Sequence, residues 1–342
     1  MNLQSYNTLG LPARADQVIF LDRAEDLPKI SKQLSNAPRC IIGGGSNVIM
    51  HAPIRAAVLI NRIPGKQIDA GGLLEAGAGE SWHELVMWSL QQGFAGLENL
   101  ALIPGNAGAA PVQNIGAYGA EIKNLLVDLT AWDFRKQDWV RLTASDCAFG
   151  YRDSIFKRAD IQGPWDAPRY CITQIRLQLV PIAQAKVNID YKELSEAVGN
   201  AKATSPMNVA RAVMAIRSRK LPDPNMLGNV GSFFKNPVIS TVQAKNLRLS
   251  HPDLPQYPAG NSTDDTCKIS AAWLIERCGF KGARRGDVGV YENHALVLVN
   301  HGGGTGREIL ALAKEIQQAV VAKFGVFLEP EPVFMPEIGS IG

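Results

Sequence analysis

Apolar residues recur along the chain in two rhythms. Short apolar runs at Gln17–Leu21, Cys40–Ile42, Ala56–Ile60 and Leu73–Ala76 predict strands, as do Leu125–Trp132, Trp139–Leu142, Tyr170–Leu179 and Ala295–Asn300. Helix signals stand between them. Glu25–Leu34 predicts a helix with Asp22 as its candidate cap, and Ser81-Trp82-His83-Glu84 has the capping-box pattern of a helix that Gly93 can close. His83, inside that helix start, reads as a helix-surface residue. Ser205-Pro206, a cap followed by proline in the first turn, opens a helix running to about Lys220. Ile269–Cys278 is amphipathic and ends at Gly279, and Thr305-x-x-Glu308 boxes a long helix that ends at Gly325. Strands and helices mixed in this way predict an α+β fold.

One stretch keeps neither rhythm. Asn99–Gly119, NLALIPGNAGAAPVQNIGAYG, predicts a shaped loop. Its glycines let a ligand approach the main chain, its Asn and Gln amides can read a polar ring edge, and structureless loops of this length are usually functional. Gly43-Gly44-Gly45-Ser46-Asn47 lies between Cys40–Ile42 and Val48–Met50. A glycine turn after a strand suits a phosphate cradle, because backbone N–H groups converge there, and suits a plain structural turn equally well. It has neither the spaced glycines of a dinucleotide fingerprint nor the lysine of a P-loop.

Three further clusters carry candidate chemistry. Phe149–Phe156 sets Arg152 among large rings, which fits either a half-buried anion site or a surface pair with Asp153. Ser232, between Gly231 and two phenylalanines, reads as a hydroxyl with little solvent and in need of a partner, and Lys235 and Asn236 follow closely. Glu329 and Glu331 alternate with prolines and therefore lie on an extended end of fixed geometry.

Composition narrows the function class. The chain has 342 residues, 46% hydrophobic and 20% charged, enough for two or three domains of ordinary globular make-up. A net charge of +3 with no basic block argues against nucleic acid as a partner. The N-terminal residues lack the apolar core of a signal peptide, and no run reaches the roughly 18 apolar residues of a membrane helix. Five dispersed cysteines without C-x-x-C spacing predict reduced thiols in a cytoplasmic protein, and neither they nor the scattered histidines support a metal site.

Taken together, GGGSN, NLALIPG, PVQNIGAYG, GYRDSIF, RKLPD, GSFFKNP and LEPE occur in that order across almost the whole chain. In this they resemble the UDP-N-acetylenolpyruvoylglucosamine reductase (MurB) family of bacterial cell-wall synthesis. The polar segment Ala183–Lys202, with Tyr191, resembles the tyrosine loop that folds over the substrate in the type I branch of that family.

The resemblance implies a two-lobed FAD-binding domain of the PCMH/vanillyl-alcohol-oxidase type at residues 1–182, with lobes of about 1–70 and 71–182. It further implies the tyrosine-loop insertion and a connecting helix at 183–220. A C-terminal α+β substrate domain at 221–342 follows, its last strand returning to the first lobe. NADPH reduces the non-covalent FAD and leaves. UDP-N-acetylglucosamine enolpyruvate then receives the hydride from flavin N5 at C3 and a proton at C2, giving UDP-N-acetylmuramate. A monomer acting on small molecules is implied.

By motif, Gly43, Gly44, Gly45, Ser46 and Asn47 hold the flavin together with Pro104, Gly105, Ala109, Ala110, Gln113, Asn114, Ile115, Gly116, Tyr118 and Gly119. Arg152, Ser232 and Glu331 are implied as catalytic: a permanent charge, the proton donor to C2, and a neutral acid. Lys235 or an ordered water would activate Ser232. Tyr191, Arg217, Lys220, Asn236 and His294 are implied at the substrate. The chain departs from the family pattern in two places. Ala109-Ala110 stand where relatives often carry two serines, leaving their main-chain N–H groups for phosphate, and the basic residue often found two places after Glu331 is replaced by Val333. Another FAD oxidoreductase on the same scaffold would not need GSFFKNP and LEPE together. A non-catalytic flavin or UDP-sugar binder would be free to lose Arg152, Ser232 or Glu331.

Overall fold

The computed structural model describes residues 1–35, 37–164, 166–199, 204–258 and 265–336; the end of the predicted Ala183–Lys202 segment, 200–202, lies outside the described residues. The chain divides into two compact units. The first holds Met1–Leu3, Arg14–Ser46 and Pro53–Arg219, and the second holds Gln4–Ala13, Asn47–Ala52 and the chain from Lys220 onward.

In the first unit, Ile54–Asn61 is the middle strand of a parallel three-stranded sheet, between Ala15–Leu21 and Arg39–Ile42. It is buried almost throughout, which is why an unbroken apolar run marks it rather than alternation. The helix Leu27–Leu34 buries Leu27, Ile30 and Leu34 in a core with Leu21, Leu59, Trp132 and Phe134. Its cap differs from the expected one. Asp26 takes the N-cap position ahead of Leu27-Pro28, whereas Asp22 is drawn away by a forked pair of bonds from Arg62, at 3.0 and 2.9 Å.

A five-stranded antiparallel sheet completes this unit, in the order Asp138–Thr143, Leu126–Asp133, Tyr170–Gln178, Leu73–Gly77, Lys66–Ile68. Leu129, Ile175 and Leu177 of that sheet share a core with Leu85 and Val86 of the helix Trp82–Gln91. The helix Pro206–Lys220 adds Val209, Val213 and Ile216, which fall on one face at helical spacing. Cys40, Cys147 and Cys171 are buried free thiols. Burial pushes each up to about 12, so they stay protonated and unreactive.

The second unit has a four-stranded antiparallel sheet, ordered Gly228–Ser232, Val297–Asn300, Val288–Val290, Arg284–Arg285, and a three-stranded one of Val238–Ser240, Thr266–Ile269 and Gln256–Pro258. The helix Gly306–Phe324 buries Ile309, Leu312, Ala313, Ile316 and Val320 in a core that also takes Leu9, Leu11 and Ile49. Its predicted capping box is present: the Thr305 hydroxyl accepts from the Glu308 N–H while the Glu308 carboxylate accepts from the Thr305 N–H, and Gly325 ends the helix at φ 63°. Val48–Met50 pairs in parallel with Val333–Met335 near the far end of the chain. A Cβ on Gly306 would lie 2.2 Å from the Met50 carbonyl oxygen, so only glycine lets the helix start so close to that strand.

Candidate active site

The glycine turn and the central loop meet within the first unit. A Cβ on Gly44 would lie 2.8 Å from Gly105 Cα and 2.7 Å from Asn106 Oδ1, and one on Gly43 would lie 3.2 Å from Ala109 Cβ. Gly105 itself has φ 112°. The Ser46 hydroxyl donates to the Pro104 carbonyl at 3.1 Å, and Asn106 Nδ2 donates to the Gly79 carbonyl at 3.2 Å. Asn106 was not singled out by sequence reasoning, although its place after Pro104-Gly105 is a turn signal. Among the described residues the N–H groups of Gly44, Gly45 and Ser46 donate to no backbone carbonyl. Three donors are thus left in a glycine turn.

The loop's own hydrogen bonds correct one expectation. The N–H groups of Ala109 and Ala110 both donate to the Asn106 carbonyl, at 3.0 and 3.2 Å, because Ala107–Ala109 forms a 3₁₀ turn. They are spent inside the turn and do not stand open for a phosphate. Asn114 is fully buried at φ 47° and its amide is saturated. Nδ2 donates to Glu121 Oε2 at 3.0 Å and the Gly150 carbonyl at 2.9 Å, and Oδ1 accepts from the Lys123 N–H at 3.2 Å. Ile115 lies in the core and donates its N–H to the Ala110 carbonyl. Gly116–Ala117 and Ala120–Glu121 form a small hairpin turned by Tyr118 and Gly119, at φ 48° and 81°. Gln113 is half-buried beside them.

Arg152 sits at φ 54°, and its Nη2 donates to the Gly116 carbonyl at 2.7 Å, tying it to that hairpin. Asp153 carries its carboxylate to Arg158 at 2.7 Å, so the surface pair the sequence allowed forms with a different arginine. Tyr191, 45% exposed, packs edge-on against Tyr118 with ring centroids 5.2 Å apart. Burial pushes the Tyr118 phenol up. Arg217, on the helix Pro206–Lys220, has a buried Nε with no hydrogen-bond partner among the described residues. Burial lowers its pKa; the nearby Tyr118 opposes that effect, and Arg152 adds to it by repulsion.

The second unit carries the other candidates. Ser232 ends the strand Gly228–Ser232 opposite Val297. It is half-buried, not enclosed as expected, because the two rings after it turn inward: Phe233 and Phe234 are 0% and 1% exposed in the core. Lys235 Nζ donates to Glu329 Oε1 at 2.5 Å. Asn236 Oδ1 accepts the Ala271 N–H at 3.0 Å, at the start of the helix Ala271–Arg277. His294 Nδ1 accepts the Leu296 N–H at 3.2 Å, and burial, then Lys220 and Lys281, lower its pKa. Lys220 begins the longest segment of this unit. Glu331 is 7% exposed; its N–H donates to the Phe233 carbonyl at 2.9 Å and its carbonyl accepts Asn47 Nδ2 at 3.3 Å.

A family model of the FAD-binding domain matches residues 15–142, and one of the UDP-N-acetylenolpyruvoylglucosamine reductase C-terminal domain matches residues 223–335. The chain is 43% identical to the UDP-N-acetylenolpyruvoylglucosamine reductase of Dechloromonas aromatica, over 98% of each chain. It is 45% identical to that of Cupriavidus pinatubonensis, over 97% of each. The chain belongs to the UDP-N-acetylenolpyruvoylglucosamine reductase family. The solved reductase (MurB) of Thermus caldophilus shares this fold at a TM-score of 0.65, with 22% identity over 98% of this chain and 97% of that one. The fold class is therefore the one implied for the family: a PCMH-type FAD-binding domain and an α+β C-terminal domain. Among the described residues no helix is long and apolar enough to cross a membrane.

Proposed function

We propose that this protein is an FAD-dependent oxidoreductase that uses NADPH to reduce UDP-N-acetylglucosamine enolpyruvate to UDP-N-acetylmuramate, in the synthesis of peptidoglycan precursors. The observation that carries the reading is Arg217. A guanidinium whose Nε is buried without a hydrogen-bond partner among the described residues, close enough to Arg152 to be repelled by it, makes a built positive site that calls for an anion. A sugar nucleotide diphosphate supplies one. On this reading Arg217, Lys220, Asn236 and Tyr191 serve the diphosphate and uracil end of the substrate, with His294 as a further substrate residue.

The residues present also fit FAD. Gly43–Asn47 would hold its pyrophosphate through the open N–H groups of Gly44, Gly45 and Ser46, in a turn that a Cβ at Gly44 would fill. The main chain around Pro104–Gly105 and Gln113–Gly119 would border the ring. With the Ala109 and Ala110 N–H groups spent, those residues shape the cradle and do not donate. FAD, when bound, would supply the redox chemistry that links NADPH oxidation to reduction of the substrate at C3.

The chain's own residues serve the charge and the proton. Addition at C3 builds negative charge on the enolpyruvyl carboxylate, and Arg152 meets it with a charge that cannot be neutralised. Its left-handed backbone and its bond to Gly116 restrict where the guanidinium lies, so little reorganisation is needed when charge develops. Glu331, buried on the proline-framed end, is placed to serve as a neutral acid that would donate a hydrogen bond once protonated. The half-exposed Ser232 hydroxyl delivers the proton to C2. With Lys235 held by Glu329, its activation falls to an ordered water. The dispersed free thiols suit a reducing, cytoplasmic setting, and we read the protein as a monomer acting on small molecules.

An anaerobic visible spectrum tests the reading. The purified protein is expected to be yellow, to bleach with NADPH, and to recover its colour on addition of UDP-N-acetylglucosamine enolpyruvate. A colourless protein that takes up no FAD overturns it. Reoxidation by oxygen alone would move the assignment to a flavin oxidase.

A further inference from the structure

The helix Trp82–Gln91 starts against the central loop and holds it at three points. The Trp82 N–H donates to the Gly105 carbonyl at 3.0 Å, and Trp82 Nε1 donates to the Leu100 carbonyl at 3.1 Å. His83 Nδ1 accepts the Leu102 N–H at 3.0 Å. Leu102 lies at φ 59°, a left-handed conformation that L side chains rarely adopt and that needs support from outside. The chain goes from this residue through Ile103 into Pro104-Gly105, the segment packed against Gly44 and bonded to Ser46. His83 is therefore not the helix-surface residue its position in the sequence implies. It is half-buried, and one ring nitrogen is committed.

We propose that His83 is a positioning residue for the FAD cradle: its unprotonated Nδ1 holds the Leu102 turn and, through it, the Pro104-Gly105 bend in the shape that accepts the cofactor. This rests on the reading of the first unit as the FAD site. A ring that accepts at Nδ1 must be the neutral Nε2–H tautomer, because an imidazolium has only donors. The surroundings favour that state. Burial lowers the His83 pKa, Arg217 on the helix Pro206–Lys220 lowers it further, and only Glu84, on its own helix, opposes them. Glu98, on the short 3₁₀ segment facing this helix, spends Oε2 on the Gly96 N–H. His83 is thereby linked to the same buried arginine that marks the anion site.

Asparagine is the informative replacement, since its Oδ1 reproduces an acceptor in the position of Nδ1 without a titratable ring. Apoprotein variants are titrated with FAD at pH 7.5 by the quenching of flavin fluorescence, with melting curves of the apoproteins run alongside. His83→Phe, which keeps a ring and loses the acceptor, is expected to weaken FAD binding by about tenfold or more, whereas His83→Asn should stay within about threefold of the parent. Equal losses in both variants, or none in His83→Phe, would overturn the proposal. If His83→Phe fails to fold, the parent's imidazole ¹⁵N shifts decide: an unprotonated, hydrogen-bonded Nδ1 at pH 7.5 supports the assignment, and a protonated Nδ1 overturns it. Parent protein that binds no FAD at all refutes the reading of the site itself. Parent that binds while both variants bind equally well refutes only His83.

Discussion

Asn114→Ala isolates what the loop's buried amide contributes. The substitution removes three hydrogen bonds, those to Glu121 Oε2, the Gly150 carbonyl and the Lys123 N–H, at a site with no exposure. Glu121 keeps Lys123 Nζ at 2.8 Å, but the Gly150 carbonyl loses a donor and the Lys123 N–H loses its acceptor. The Lys123 N–H left short costs about 1–3 kcal/mol, while the Gly150 carbonyl still accepts the Asp153 N–H at 3.4 Å; with about 1 kcal/mol for alanine in a left-handed conformation the loss is about 2–4 kcal/mol. That is a large share of the roughly 5–15 kcal/mol by which domains are stable. Urea unfolding of the apoprotein, followed by tryptophan fluorescence through the buried Trp82 and its neighbours, should show a midpoint lowered by about 1–2 M with little change in slope. Asn114→Gly removes only the backbone penalty and should recover about 1 kcal/mol of the loss. Because Gly150 leads into Arg152, turnover should fall further than stability explains at temperatures where both variants remain folded. A loss below about 1 kcal/mol, or glycine no better than alanine, would refute the account of Asn114 as the bolt of this loop.

Three other outcomes are expected. Ser232→Ala should bleach with NADPH as the parent does, yet turn over the enolpyruvyl sugar about 10²–10⁴-fold more slowly, and unchanged turnover would remove Ser232 as the proton donor. Gly44→Ala places a Cβ within 2.8 Å of Gly105 Cα, so it should be purified with little FAD while its far-UV circular dichroism stays near that of the parent. Asp133, 0% exposed, is pushed up by burial but held below the usual carboxylate range by Arg169, at 3.0 and 2.9 Å, and by the Lys136 and Arg135 N–H groups. A carboxyl lowered on folding stabilises the protein above its unfolded pKa of about 4 and loses that contribution as pH falls through the lowered folded value. Thermal melts should thus show the parent falling below about pH 4 more steeply than Asp133→Asn, which starts lower at neutral pH; parallel curves would contradict the assignment.

The departures from expectation share one physical form. Lys235 follows Ser232 closely in sequence, yet its ammonium is taken by Glu329, 94 residues on. Ala109 and Ala110 offer main-chain donors on paper, but a 3₁₀ turn spends them on Asn106. Asp22 reads as a helix cap until Arg62 claims it. In each case the residue type was read correctly, and its hydrogen-bonding capacity went to a partner that only folding brought near.

What the sequence by itself determined is what local chemistry determines. Apolar runs, caps and terminal glycines placed the strand Ile54–Asn61 and the helices Pro206–Lys220 and Gly306–Phe324, because pleat, helical period and helix ends are set within a few residues. The ordered motifs carried the family for the same reason: they are short, contiguous strings. The tertiary structure alone decided that Gln4–Ala13 and Val48–Met50 join the second unit, and that Val48–Met50 pairs with Val333–Met335. It also decided that Arg217 keeps a buried nitrogen with no hydrogen-bond partner among the described residues and that His83 turns inward to hold Leu102. Burial and hydrogen-bond partnership are properties of distance in space, and no period along the chain encodes them.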